Sequence, residues 1–136
     1  MKKILFLIIS ITCLLMLSGC RNINSVVLRG FYQSERTSDG YIVQISIYSD
    51  EKSFVEYIDN REVNRGTFDI LDGKKYSLVG DKQTIEINLD KNNSFEITIK
   101  KVNDGNPILL KNMSDTTTRF STPFDDIDKY KNLIKE

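Results

Sequence analysis

Histidine is missing from all 136 residues. With it go the usual general base, the usual transition-metal ligand and the side chain that titrates near neutrality. Cysteine is scarce: Cys13 and Cys20 are the only two, and both fall in the first twenty residues. The rest of the chain therefore has no disulfide framework, and a Ser-His or Cys-His nucleophile pair is excluded. Stability has to come from packing and strand pairing. Neither sign of charge dominates, with 19 Lys and Arg against 19 Asp and Glu, and the basic residues are scattered. That distribution gives no footing for nucleic acid. Internal repeats and low-complexity blocks are absent as well. The longest apolar run, residues 4–17, is too short for a comfortable membrane span.

That run nonetheless organises the chain. Lys2 and Lys3 precede it, and Leu17-Ser18-Gly19-Cys20 closes it. A positive start, an apolar stretch and small residues at a boundary form the pattern of a secretory signal peptide. The run offers no amphipathic face for packing into a domain. Its Leu-Ser-Gly-Cys ending resembles the lipobox of bacterial lipoproteins. The resemblance implies cleavage just before Cys20, a diacylglyceryl group on the Cys20 thiol, and a lipid anchor to the extracytoplasmic face of the membrane. The expected division is a signal peptide over residues 1–19, a lipidated cysteine and tether over 20–27, and one domain over 28–136. Without Lys2 and Lys3, 17 Lys and Arg face 19 Asp and Glu, a net charge of −2. Membrane attachment then rests on the lipid and not on a polybasic patch.

Past the tether, apolar and polar residues alternate with period two, the mark of strands with one buried face. Strands are expected over residues 28–32, 41–48, 53–58, 62–71, 75–79, 83–89, 94–102 and 108–113. Turn signals such as Asp39-Gly40, Asp59-Asn60, Asp72-Gly73 and Gly80-Asp81 separate them. In the second strand Tyr41, Val43, Ile45 and Ile47 share one face, opposite Ile42, Gln44, Ser46 and Tyr48. Strands 83–89 and 94–102 are expected to pair as an antiparallel hairpin with Ile85, Ile87, Phe95, Ile97 and Ile99 inward. Gly66 marks a bulge or a close backbone approach. Thr122-Pro123-Phe124-Asp125 has the cap, first-turn proline and acidic residues of a helix start. Phe124, Ile127, Tyr130 and Leu133 or Ile134 recur at helical spacing, so a short C-terminal helix is expected over about 123–135. The fold class is all-β: an antiparallel meander of about eight short strands forming a small barrel or half-open barrel, whose closure removes exposed edges.

Gly30-Phe31-Tyr32 and Gly66-Thr67-Phe68, followed by Tyr76-Ser77-Leu78 and Ile85-Glu86-Ile87, have a rhythm that resembles small lipocalin-like lipoproteins of bacteria. The resemblance implies an antiparallel barrel with a ligand pocket at one mouth. The glycine-x-tryptophan signature of true lipocalins is absent, since the chain has no tryptophan.

Two carboxylate pairs, Asp50-Glu51 and Asp125-Asp126, are the candidates for acid–base work. The first falls in an expected turn and the second at the expected helix start, where solvation and capping account for them. Residues 90–101 echo a calcium loop, but the sixth position is Phe95 where glycine is needed, and the twelfth is Lys101 where glutamate is needed. A hairpin turn is the simpler reading there, and again at 103–106. No catalytic residue, metal site or cofactor is expected; Cys20, through lipidation, is the one site residue. Aromatics such as Tyr32, Tyr41, Tyr48, Tyr57 and Tyr76 either fill the barrel or line a cavity. Any that face outward would mark a protein-binding surface. The expected function is that of a lipid-anchored, extracytoplasmic binding protein for a protein or peptide partner, an immunity-type or inhibitor lipoprotein being one version. The alternative is a lipocalin-like carrier of a small apolar ligand.

Overall fold

In the structure, a computed structural model that describes residues 26–135, eight strands form one antiparallel sheet rolled into a nearly closed barrel. The expected signal peptide, Cys20 and the expected tether up to residue 25 lie outside the described residues. The strands are β1 (Gly30–Ser34), β2 (Val43–Tyr48), β3 (Ser53–Ile58), β4 (Arg61–Asp72), β5 (Lys75–Gly80), β6 (Thr84–Asn88), β7 (Ser94–Ile97) and β8 (Ile108–Ser114). Their order around the barrel is β6-β5-β4-β3-β2-β1-β8-β7. The first six meander; the β7–β8 hairpin then returns to place β8 beside β1.

Inward residues follow the period-two pattern. Val43, Ile45 and Ile47 of β2, Phe54 and Ile58 of β3, and Ile85 and Ile87 of β6 all join one core cluster. So do Tyr32, Phe95, Ile97 and Ile99, and side chains fill the interior as expected for eight strands. Tight spots fall at glycines. A Cβ on Gly66 would stand 1.9 Å from the Val79 carbonyl oxygen, so β4 and β5 approach there as only glycine allows. Gly30, with φ of +81°, opens β1 next to the register shift between Phe31 and Tyr32 against β8.

The pairing of 83–89 with 94–102 requires correction. β6 and β7 are the two free edges of the sheet, and no ladder joins them. The turn between them is closed locally by Asp90, whose carboxylate accepts the backbone N–H groups of Asn92 (2.8 Å) and Ser94 (3.0 Å) and the Ser94 hydroxyl (2.7 Å). A backbone bond from the Asp90 N–H to the Ser94 carbonyl (2.9 Å) ties the arms at the turn. Beyond it β7 gives its ladder to β8, from Ser94↔Lys111 to Ile97↔Ile108, and ends at Ile97. The seam stays open while both strands still point their apolar residues inward.

The C-terminal helix is shorter than expected. It is α1 (Ile127–Lys131), preceded by Asp126 and not by Thr122. Arg61 is the reason. Its guanidinium donates from Nε and Nη2 to both Asp126 carboxylate oxygens, each at 3.0 Å, and stacks 3.9 Å from the centre of the Phe124 ring. These contacts engage residues 124–126 against the β3–β4 turn before the helix begins. Residues 115–126 are thus an irregular strap over the outer wall. The helix then covers one end of the barrel: Ile134 is buried in the core, and Tyr130 packs edge-on against Tyr41 with ring centres 6.0 Å apart. The other end is where β1 begins, next to the expected tether (the tether end).

Candidate binding groove

The strap makes the outer wall of β2 and β3 unlike an ordinary solvated sheet face. Ser46 points outward from β2, yet it is fully buried. Its hydroxyl donates to the Thr118 carbonyl (2.5 Å) and accepts the Thr118 N–H (3.1 Å). Further along, Phe120 packs edge-on against Tyr57 (5.0 Å) and Phe31 (6.0 Å), both outward residues of their strands. Beside this small outer core runs an open groove of about 510 Å³, whose lining includes Tyr48, Val55, Tyr57 and Phe120. A second depression of about 520 Å³ continues it towards the tether end, between the β2–β3 turn and residues Asp115, Thr116 and Thr117 of the strap. Tyr48 and Glu51 border both.

The groove is aromatic in its floor and charged at its rim. Five carboxylates (Asp50, Glu51, Glu62, Asp81 and Asp115) face three guanidinium groups. Arg29 is paired with Asp115 at 3.2 Å, and Arg65 with Glu62. Arg119 lies 5.7 Å over the ring of Tyr48. The Tyr48 hydroxyl is buried without a hydrogen-bond partner among the described residues; Arg119 approaches it, but no bond of proper geometry forms. This is an unused donor beside the open floor, and leaving such a group unpaired is costly.

Beneath the floor, on the inner side of β3, lies Glu56. Among the described residues it is the one fully buried Asp, Glu, Lys or Arg side chain. No Lys or Arg pairs with it there. Two carboxamides serve it instead. Gln83 Nε2 donates to both carboxylate oxygens at 3.1 Å, and Asn64 Nδ2 donates to Oε2 at 3.2 Å. Asn64 is itself fixed by the Lys82 N–H (3.0 Å) and the Gln83 carbonyl (3.2 Å). Burial, only partly offset by these donors, pushes the Glu56 carboxyl up to about 7. The sequence carried no signal for this cluster beyond a polar residue at an inward position of strand 53–58.

The carboxylate pairs singled out from sequence do not converge. Asp50 and Glu51 lie in the exposed β2–β3 turn at the tether end, and Glu51 accepts a long bond from the Ser53 hydroxyl (3.4 Å). Asp126 sits at the opposite end of β3, held by Arg61, whose hydrogen bonds keep its carboxyl below the usual range. Asp125 is exposed beside it. Asp90 serves its own turn, and the hydrogen bonds from Ser94 hold its carboxyl low. Among the described residues no three His, Cys, Asp or Glu side chains are grouped to hold a metal ion. No described helix is long and apolar enough to cross a membrane. No protein-family model, curated protein or solved structure matches the chain.

Proposed function

We propose that this protein is a lipid-anchored, extracytoplasmic binding protein, held to a bacterial membrane through Cys20, that takes an extended segment of a protein or peptide partner. The outer groove is the observation that carries this reading. It is open and elongated, with aromatics for apolar contact and an acidic rim that favours a segment bearing Lys or Arg. The barrel interior is packed with its own side chains, so the room a small-ligand carrier needs is not supplied there. Asp50 and Glu51 lie in a turn, Asp126 is held in an ion pair and Asp125 is exposed, an arrangement suited to structure and not to turnover. An anchor confines the groove and a membrane-proximal partner to one surface, where even a weak contact is populated.

The test uses the full chain in its own membranes, with a photo-reactive residue placed at Val55 in the groove or at Glu86 on the exposed outer face of β6. A discrete cross-linked partner is expected from position 55 alone, and it should weaken when Glu51→Gln and Asp81→Asn are combined. Equal labelling from both positions would sink the groove assignment. Cys20→Ser should release the protein from the membrane or leave its precursor uncleaved; unchanged processing and membrane retention would sink the anchor.

A further inference from the structure

Large apolar side chains left exposed on the barrel are not spread evenly. Of the six among the described residues, Val27, Ile70, Leu71 and Met113 lie at the tether end. Ile70 and Leu71 are 64% and 53% exposed, and both sit near the tip of the β4–β5 hairpin. That hairpin reaches past β3, while on its other side β6 accompanies β5 as far as Lys75, opposite Asn88. The β3 ladder on β4 stops at Thr67, opposite Ser53, whereas β4 runs on to Asp72 with β5 as its partner. Val27 and Ile70 border the same notch of about 170 Å³, together with Phe68, Tyr76 and Lys52. Asp69 and Asp72 bracket Ile70 and Leu71 in the chain, and Lys74 and Lys75 follow the tip.

The chain on which the anchor reading places the lipid enters the barrel at this same notch. Five residues separate Cys20 from Val26, a span of at most about 22 Å when fully extended. We infer that the β4–β5 hairpin tip, with Ile70, Leu71 and Val27, docks into the interfacial layer of the lipid bilayer and orients the barrel on the membrane. The inference rests on the anchoring of Cys20. Exposed apolar side chains with lysines close by can seat in this layer, the lysine stems lying along the apolar surface while their ammonium groups, and the Asp69 and Asp72 carboxylates, stay among the headgroups. A two-point attachment, lipid and hairpin, stops the barrel from tumbling on its tether. It also sets the outer groove at a fixed height above the surface.

The lipid-modified full chain, reconstituted in phosphatidylcholine vesicles, provides the test. Cys13 leaves with the signal peptide and Cys20 carries the lipid, so Leu71→Cys or Ser38→Cys introduces a single thiol for an environment-sensitive fluorophore. Ser38 lies in the β1–β2 turn at the opposite end. The label at 71 should shift to shorter wavelength, and lipids spin-labelled near the headgroup should quench it at least twofold more than the label at 38. Equal quenching at the two positions, with the lipid on Cys20 confirmed by intact mass, overturns the docking and leaves the anchor standing. An unmodified Cys20 overturns the anchor and the docking with it. Protection of the label at 71 only after a second membrane protein is added assigns the patch to a protein contact and overturns the lipid one.

Discussion

Strands β2 and β6 are of similar length and lie in the same sheet, yet they are buried in different ways. β6 alternates strictly, with Ile85 and Ile87 inward and Thr84, Glu86 and Asn88 in water. β2 is buried at five consecutive positions from Val43 to Ile47. The inner faces of the two are equivalent. The difference lies outside, where the C-terminal strap crosses β2 and leaves β6 bare. Burial on a β-wall therefore reports what a distant segment does, as well as the pattern of the strand itself. The covered wall is also where the groove lies, because a segment laid over a curved sheet leaves clefts along its edge.

The strongest way to break the comparison is through the interior that both strands share. Ile97→Ala, at a position 4% exposed, should cost roughly 2–5 kcal/mol in denaturant melts. A loss below about 1 kcal/mol would show that the inner wall is looser than its packing implies.

Next in size is Glu56, the polar exception on the inner wall. Its folded carboxyl titrates at about 7, above the 4.5 of the free side chain, so between these values the folded state holds a proton that the unfolded chain has released. The stabilisation is complete below about pH 4.5 and is lost as pH rises through 7; a shift of this size corresponds to roughly 3 kcal/mol. Wild-type stability should decline between pH 5 and 8, and Glu56→Gln should flatten that decline. Equal slopes in the two proteins would place the titration elsewhere. Asp90 and Asp126, whose carboxyls are held low, lose their contribution only as pH falls below the ordinary aspartate value of 3.8, outside this window.

The covered wall is tested by Phe120→Ala. Phe120 is only half-buried, so roughly 1–3 kcal/mol is expected, less than for a phenylalanine sealed in a core. Hydrogen exchange at the Thr118 N–H should rise with it, because that bond to Ser46 depends on the strap staying down. Unchanged exchange would mean that Arg61 and Asp126 alone hold the strap. The smallest effect belongs to the bare wall: Glu96→Ala, beside Ile97 but outward, should change stability by less than about 0.5 kcal/mol. A larger loss would reveal a contact on that wall equivalent to the strap.

Most of the fold could be read from the chain. Period-two alternation located eight strands, turn residues separated them, and Gly66 marked the one point where β4 and β5 must nearly touch. The candidate groove could not be read in this way. Tyr48 and Tyr57 stand out as aromatics in the sequence, but their role depends on Arg119 and Phe120, more than sixty residues later, lying across them. Pairing was equally ambiguous at 83–102, where two well-patterned strands in sequence order suggest a hairpin. Side-chain alternation fixes which face is buried but says nothing about which neighbour receives the backbone bonds.

Local chemistry, then, was decided by the sequence alone. Backbone sterics and the spacing of apolar side chains determine strands and inward faces, because those preferences act within a few residues. The missing histidine, with Cys13 and Cys20 confined to the first twenty residues, excludes a Ser-His or Cys-His nucleophile pair before any fold is known. The tertiary structure alone decided where the barrel stays open, why the helix starts only after Asp126, and why Glu56 is dry enough to keep its proton near neutrality. Each of these depends on contacts between residues far apart in the chain. Hydrogen bonding, ion pairing and desolvation are set by what is nearby in space, and a linear pattern does not encode that.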